Sequence, residues 1–96
     1  MNKQIALAIM KAITPDVVYD CSIANEFTFI VNKLPTPVIL TDKELIVHAR
    51  NPFNSYFTKQ FCISLADPNF IEECQNAIES AIELNKQYGS KIRYND

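Results

Sequence analysis

Ninety-six residues, 48% hydrophobic and 21% charged, describe one globular domain and exclude a disordered chain. The net charge of −2 and a pI near 5.3 leave no basic excess to neutralise phosphates, which excludes direct nucleic-acid readout as the main role. No apolar run is long enough to span a bilayer, so no membrane partner is expected.

In chain order, Asn2 to Ile13 carries Ile5, Ile9 and Ile13 at four-residue spacing, with Ala6, Met10 and Ala12 broadening the stripe. The run from Ile5 to Ile13 follows Lys3 as a signal peptide would. Lys11 interrupts it, however, and no small-residue cleavage site follows, so the pattern is that of an amphipathic helix in a chain that stays in the cytoplasm. Thr14-Pro15-Asp16 ends this helix, because proline disfavours helical geometry in the residue before it. Val17 to Cys21 is extended, and Ser22 to Asn25 forms a turn or bulge.

The stretch from Glu26 to Arg50 alternates apolar and polar residues in three runs, the mark of strands with one buried face. Phe27, Phe29 and Val31 share one side of the first run, with Thr28 and Ile30 opposite. Val38 and Leu40 flank Ile39 in the second, and Leu45, Val47 and Ala49 alternate with Ile46, His48 and Arg50 in the third. Leu34-Pro35-Thr36-Pro37 is a stiff corner whose prolines place it at a sheet edge or between strands. Thr41-Asp42-Lys43-Glu44 has the length of a hairpin connection.

Asn51 caps a helical turn led by Pro52, in a loop that carries Phe53, Tyr56 and Phe57. These aromatics serve either as interface anchors or as a cover for the open end of the core. Lys59 to Ala66 resumes the alternation, with Phe61, Ile63 and Leu65 on one side and Cys62, Ser64 and Ala66 on the other.

The last helix starts with Asp67 as N-cap and Pro68 at the first helical position, followed by Glu72 and Glu73 at the positive end of its dipole. Ile71, Cys74, Ile78, Ala81, Ile82 and Tyr88 form the inner stripe, and Gly89 suits the left-handed position that ends a helix. Glu72, Glu73, Asn76, Glu79, Ser80, Glu83 and Gln87 make a polar, mostly acidic outer face, and a basic tail with Lys91 and Arg93 follows. The fold class is therefore α+β: a single domain over 1–96, with an antiparallel sheet of three to four strands and an N-terminal and a C-terminal helix packed on one face.

Chemistry finds little footing. Gly89 is the single glycine, so no glycine-rich loop exists to cradle phosphate or a dinucleotide. His48 is the only histidine, and no CxxC, HxxxH or HxxE spacing is present, so no metal or cofactor is expected. Cys21, Cys62 and Cys74 are odd in number and fall on three different elements, as reduced thiols packed like small apolar side chains do. A nucleophilic pair of Cys62 or Cys21 with His48 and Asp42 requires hydrogen-bond proximity that spacing does not provide. The expectation is a non-enzymatic protein.

Two resemblances bear on function. The run LPTPVILTDKELIVHARNPFNSYF resembles the opening of a PAS sensor domain, where a strand ending in an aspartate, a hairpin and an Asn-led helical turn recur in that order. That likeness implies a small-molecule sensor, with a cavity lined by Phe27, Phe29, Ile46 and Phe57. The N-terminal helix, VNKLPTPVIL, the later strand QFCISLADP and the final amphipathic helix together resemble small neck and tail-completion proteins of tailed phages, those infecting gut Bacteroidetes above all.

The second likeness covers more of the chain. It implies a ring-forming subunit at the head–tail junction, acting through contacts with its own copies and with other phage structural proteins, in the virion or the host cytoplasm. Phe53, Tyr56 and Phe57 are then the expected contacts together with the 26–50 sheet surface. Glu79 and Glu83 on one copy would meet Lys91 and Arg93 on the next, since opposite charges at two places on one chain suit head-to-tail closure.

Overall fold

A computed structural model describes the backbone of residues 1–50 and 58–94, and side chains within 1–49 and 59–86. The element order is α1 (Lys3–Ile13), β1 (Val18–Ile23), β2 (Glu26–Ile30), β3 (Val38–Leu40), β4 (Glu44–Arg50), β5 (Thr58–Ser64) and α2 (Phe70–Tyr94). The strands form one antiparallel sheet in the order β1-β2-β3-β4-β5, each pairing with its neighbours in sequence. This is the expected α+β class. The sheet has five strands rather than three to four, because Val18 to Ile23 forms a full ladder with β2.

Strand parity builds the core. Successive side chains on a strand point to opposite faces, and directly paired residues share a face. Phe27, Phe29, Val38, Leu40, Leu45, Val47, Ala49 and Ile63 are all buried on one face. Ala6, Met10 and Ile13 of α1, and Phe70, Cys74, Ala77, Ile78 and Ala81 of α2, complete the cluster against them. Burying a side chain of this size contributes roughly 1.5–3 kcal/mol, so this face holds the domain together.

Each connection has a local cause. The Asn2 side chain caps α1 by accepting from the Ile5 amide at 2.9 Å, and the Thr14 amide closes the helix on the Met10 carbonyl. The buried stripe of α1 is Ala6, Met10 and Ile13, whereas Ile5 is exposed; the helix is turned by one residue from the 5–9–13 spacing so that the longer Met10 fills the core. Ala24 and Asn25 both have positive φ, 51° and 66°, which makes a two-residue hairpin turn of the primed type between β1 and β2.

A bulge between Tyr19 and Cys21 interrupts the β1–β2 ladder, and Thr28 stitches it. Its Oγ1 accepts from the Cys21 amide at 3.2 Å, with the Cys21 carbonyl at 3.0 Å and an Asp20 carboxylate oxygen at 3.2 Å ready to take its proton.

The proline corner lies between β2 and β3, as its composition demands. Pro37 has no N–H to give, and the Thr36 hydroxyl donates to the His48 carbonyl at 3.4 Å. The 41–44 hairpin is organised by Thr41, whose Oγ1 accepts from the amides of Lys43 (3.1 Å) and Glu44 (3.0 Å) and donates to the Glu44 carbonyl (3.2 Å).

α2 departs from expectation at both ends. Asp67 caps a leading turn, with Oδ1 accepting from the Asn69 amide at 2.8 Å and its carbonyl accepting from Phe70 at 3.1 Å; regular helix begins at Phe70, after Pro68. Phe70 and Ala77 join the buried stripe, while Ile71 is 38% exposed. The helix runs past Gly89 to Tyr94: no proline follows the glycine, and a helical glycine costs only about 1 kcal/mol. Lys91 and Arg93 are therefore part of α2 and not a separate tail. α2 is tied to α1 by Gln75, whose Nε2 donates to the otherwise unpaired Ile13 carbonyl at 3.3 Å.

Candidate interaction surface

With both helices on the inner face, the outer face of the sheet carries a straight row of paired residues: Cys21, Thr28, Ile39, Ile46 and Cys62, one from each strand. Beside this row, Val18 pairs with Ile30, and the two are 59% and 49% exposed; Ile23, at the β1–β2 tip, is 71% exposed. Thr28, Thr36, Pro37, Ile39 and His48 line a shallow cleft of about 280 Å³ on this face. His48 is half-buried there and pairs with Gln60 across β4 and β5.

The edge of the sheet at β5 forms a second feature. Among the described residues β5 pairs with β4 alone, so every second residue turns its backbone N–H and C=O away from the sheet. Alongside it, Gln60, Phe61, Cys62 and Ile63 of the strand and Glu73, Asn76, Ala77 and Ser80 of α2 enclose a groove of about 440 Å³. Lys59 stands at one end, its ammonium 5.3 Å from the Phe61 ring centroid. Glu73 stands on the helix wall, where a hydrogen bond that its protonated carboxyl donates to the Asp67 carboxylate, and repulsion by that carboxylate, raise it above the usual range, with smaller contributions from desolvation and Glu72.

Phe53, Tyr56 and Phe57 lie outside the described residues. Glu79 and Glu83 are exposed on α2, one helical turn apart. Lys91 and Arg93 follow on the same helix, so the acidic and basic groups belong to one continuous element. Glu79 also borders a cleft of about 390 Å³ with Ile13, Thr14, Gln75, Ile78 and Ile82.

The cavity implied by the PAS likeness is not formed by its named residues. Phe27 and Phe29 point into the core, while Ile46 stands on the opposite face beside Ile39 and Cys62. The thiols are equally scattered. Cys21 and Cys62 lie at the two edges of the sheet's outer face, and Cys74 is fully buried on α2, where desolvation above all pushes its thiol up to about 12. Cys62 accepts a hydrogen bond from Gln60 Nε2 at 3.1 Å. No group of three or more His, Cys, Asp and Glu side chains is placed to hold a metal among the described residues, and no described helix is long and apolar enough to cross a membrane.

Ile30 falls on the polar side of its strand, and its exposure there marks a candidate contact that the strand alternation alone does not reveal. The signal lies in residue type: a β-branched aliphatic among polar outward positions. The groove beside β5 carried no sequence signal, because it depends on where α2 lies relative to the edge strand.

No family model, curated protein or solved structure matches this chain.

Proposed function

We propose that this chain is a structural assembly protein, a ring-forming subunit of a phage neck or tail, which acts through protein–protein contacts and without chemistry. The observation that carries the reading is the exposed, directly paired Val18 and Ile30 on the outer face of the sheet, with Ile23 exposed at the far end of the same hairpin. Large apolar side chains grouped on an exposed face favour a protein partner, since association removes them from water. The likeness of the N-terminal helix, the VNKLPTPVIL and QFCISLADP segments and the final helix to phage neck and tail-completion proteins supplies the setting. In that setting the chain works in the virion or the host cytoplasm. The 53–57 aromatic loop and the sheet surface are the primary contacts, with Glu79 and Glu83 of one copy set against Lys91 and Arg93 of the next.

Light scattering across a concentration series tests the assembly. The expected result is a mass that rises to a fixed multiple of the 10.9 kDa protomer. A strict monomer at the highest concentration, with Val18 and Ile30 still freely solvated, overturns the reading.

A further inference from the structure

The β5 edge and α2 together offer what an added strand requires. An edge strand presents unpaired amides and carbonyls at the spacing of a strand backbone, and an extended peptide satisfies them by joining the sheet. β5 spans seven residues, pairs with β4 from Arg50↔Thr58 to Glu44↔Ser64 without a register shift, and ends the sheet. β1, at the other edge, is interrupted by the bulge at Asp20, which spoils it as a template. The two edges are therefore unequal, and β5 is the receptive one.

The groove determines what kind of strand fits. Phe61, Ile63 and Ala77 supply an apolar floor, so inward side chains of an added strand are removed from water. Glu73, Asn76 and Ser80, at helical spacing, supply a polar wall along α2. Charge makes the groove directional. Asp67 and Glu73 lie together near the α2 start, whereas Lys59 stands at the start of β5. Two carboxylates crowded together at one end gain by acquiring a cation between them, which neither has from the described residues nearby.

We infer that the groove between β5 and α2 binds an extended segment of a partner protein as a sixth strand, with a lysine or arginine of that segment set against Glu73. Backbone pairing along β5 supplies affinity, and the alternate inward positions supply selection: apolar over Phe61 and Ala77, basic at the Glu73 end. Val18 and Ile30 lie on the β1–β2 ladder, at the edge of the sheet opposite β5, so the inference stands apart from ring assembly through them.

The test uses dilute full-length protein and synthetic peptides matched to the length of β5. One alternates threonine and valine with a single lysine near one end. A second carries glutamate in place of the lysine, and a third is the lysine peptide N-methylated at alternate amides. Backbone amide shifts are followed by NMR. The lysine peptide is expected to move the amides of 59–63 and 73–80 in a saturable way and to slow hydrogen exchange along β5.

The glutamate peptide and the N-methylated peptide should each bind about tenfold more weakly or worse, a difference of roughly 1.4 kcal/mol. Glu73→Lys, an exposed substitution, should reverse the charge preference while leaving the core amides unshifted. Equal binding of the two charged peptides, indifference to N-methylation, or no saturable shift overturns the inference. So does protection of β5 that rises with protein concentration alone, since that assigns the edge to a second copy.

Discussion

Val18 stands directly opposite Ile30 across the β1–β2 ladder, on the side of the sheet that neither helix covers. One position earlier on β2, Phe29 points the other way and is fully buried, with its ring 5.8 Å from that of Tyr19 in an edge-on arrangement. A single step along the strand thus separates a residue that holds the fold together from one free to meet a neighbour. Phe29→Ala should cost about 3–5 kcal/mol of stability. Ile30→Thr should cost about 1 kcal/mol or less while weakening self-association. Urea denaturation at low concentration, followed by light scattering at high concentration, separates the two effects.

The proposed head-to-tail pairing between Glu79 and Glu83 on one copy and Lys91 and Arg93 on the next predicts an association that is sensitive to ionic strength. Raising salt from about 0.05 to 0.5 M should lower the association constant, because the Debye length shrinks well below 10 Å. Glu79→Lys with Glu83→Lys should do the same at low salt. Association unchanged by both assigns assembly to apolar surface alone.

The turn between β1 and β2 places Ala24 at φ 51° and Asn25 at φ 66°. Alanine in the left-handed region carries a steric cost of roughly 1–2 kcal/mol that glycine avoids. Ala24→Gly should therefore stabilise the hairpin by up to about 1 kcal/mol after its greater unfolded-state entropy is subtracted. A rise in the denaturation midpoint at unchanged slope is the expected reading. The same reasoning applies to Lys33, at φ 72°.

Thr41 organises the β3–β4 turn through a single hydroxyl that bonds to two amides and a carbonyl. Thr41→Val keeps the shape and removes those partners. The expected loss is about 1–3 kcal/mol, measured by thermal or urea unfolding.

Burial lifts the Cys74 thiol to about 12 in the folded chain, against about 8.5 in an unfolded one. The folded state therefore keeps its proton where the unfolded state releases it. Stability from this group is fully present below about pH 8.5 and is lost progressively as pH rises from there towards 12. Alkylation at pH 8 should modify Cys62, which is exposed, well before Cys74. Glu73 shifts in the same direction, raised chiefly by its hydrogen bond to Asp67, and Asp67→Asn should bring its NMR titration midpoint down.

The inner face was legible in the sequence because parity and burial agree there. Phe27, Phe29, Val38, Leu40, Leu45 and Val47 alternate with polar or lesser apolar residues, and all are buried. α1 and α2 were legible as amphipathic segments, but their exact rotation was not. Met10 rather than Ile9 reaches deepest, and Phe70 rather than Ile71 seals the start of α2, because neighbouring elements decide which of two adjacent apolar residues fits.

β1 was harder to read. Asp20 in its bulge shifts the alternation midway, so Val18 and Cys21 share a face that simple counting assigns to opposite sides. Of the expected contact residues, Glu79 and Glu83 were readable as solvated from their helical spacing. The groove at β5 arises only from how the last helix is laid beside the last strand, and no local pattern encodes that.

A sheet in which each strand pairs only with its sequence neighbours can be laid down hairpin by hairpin as the chain is synthesised. Its greasy side nevertheless stays only partly covered, by Ala6, Met10 and Ile13 of α1, until residues 70–81 arrive from the ribosome, because Phe70, Cys74, Ala77, Ile78 and Ala81 complete the lid that closes it. A nascent chain stalled before that point is therefore the form most in need of a chaperone, and the docking of α2 is the step that makes this domain safe from aggregation.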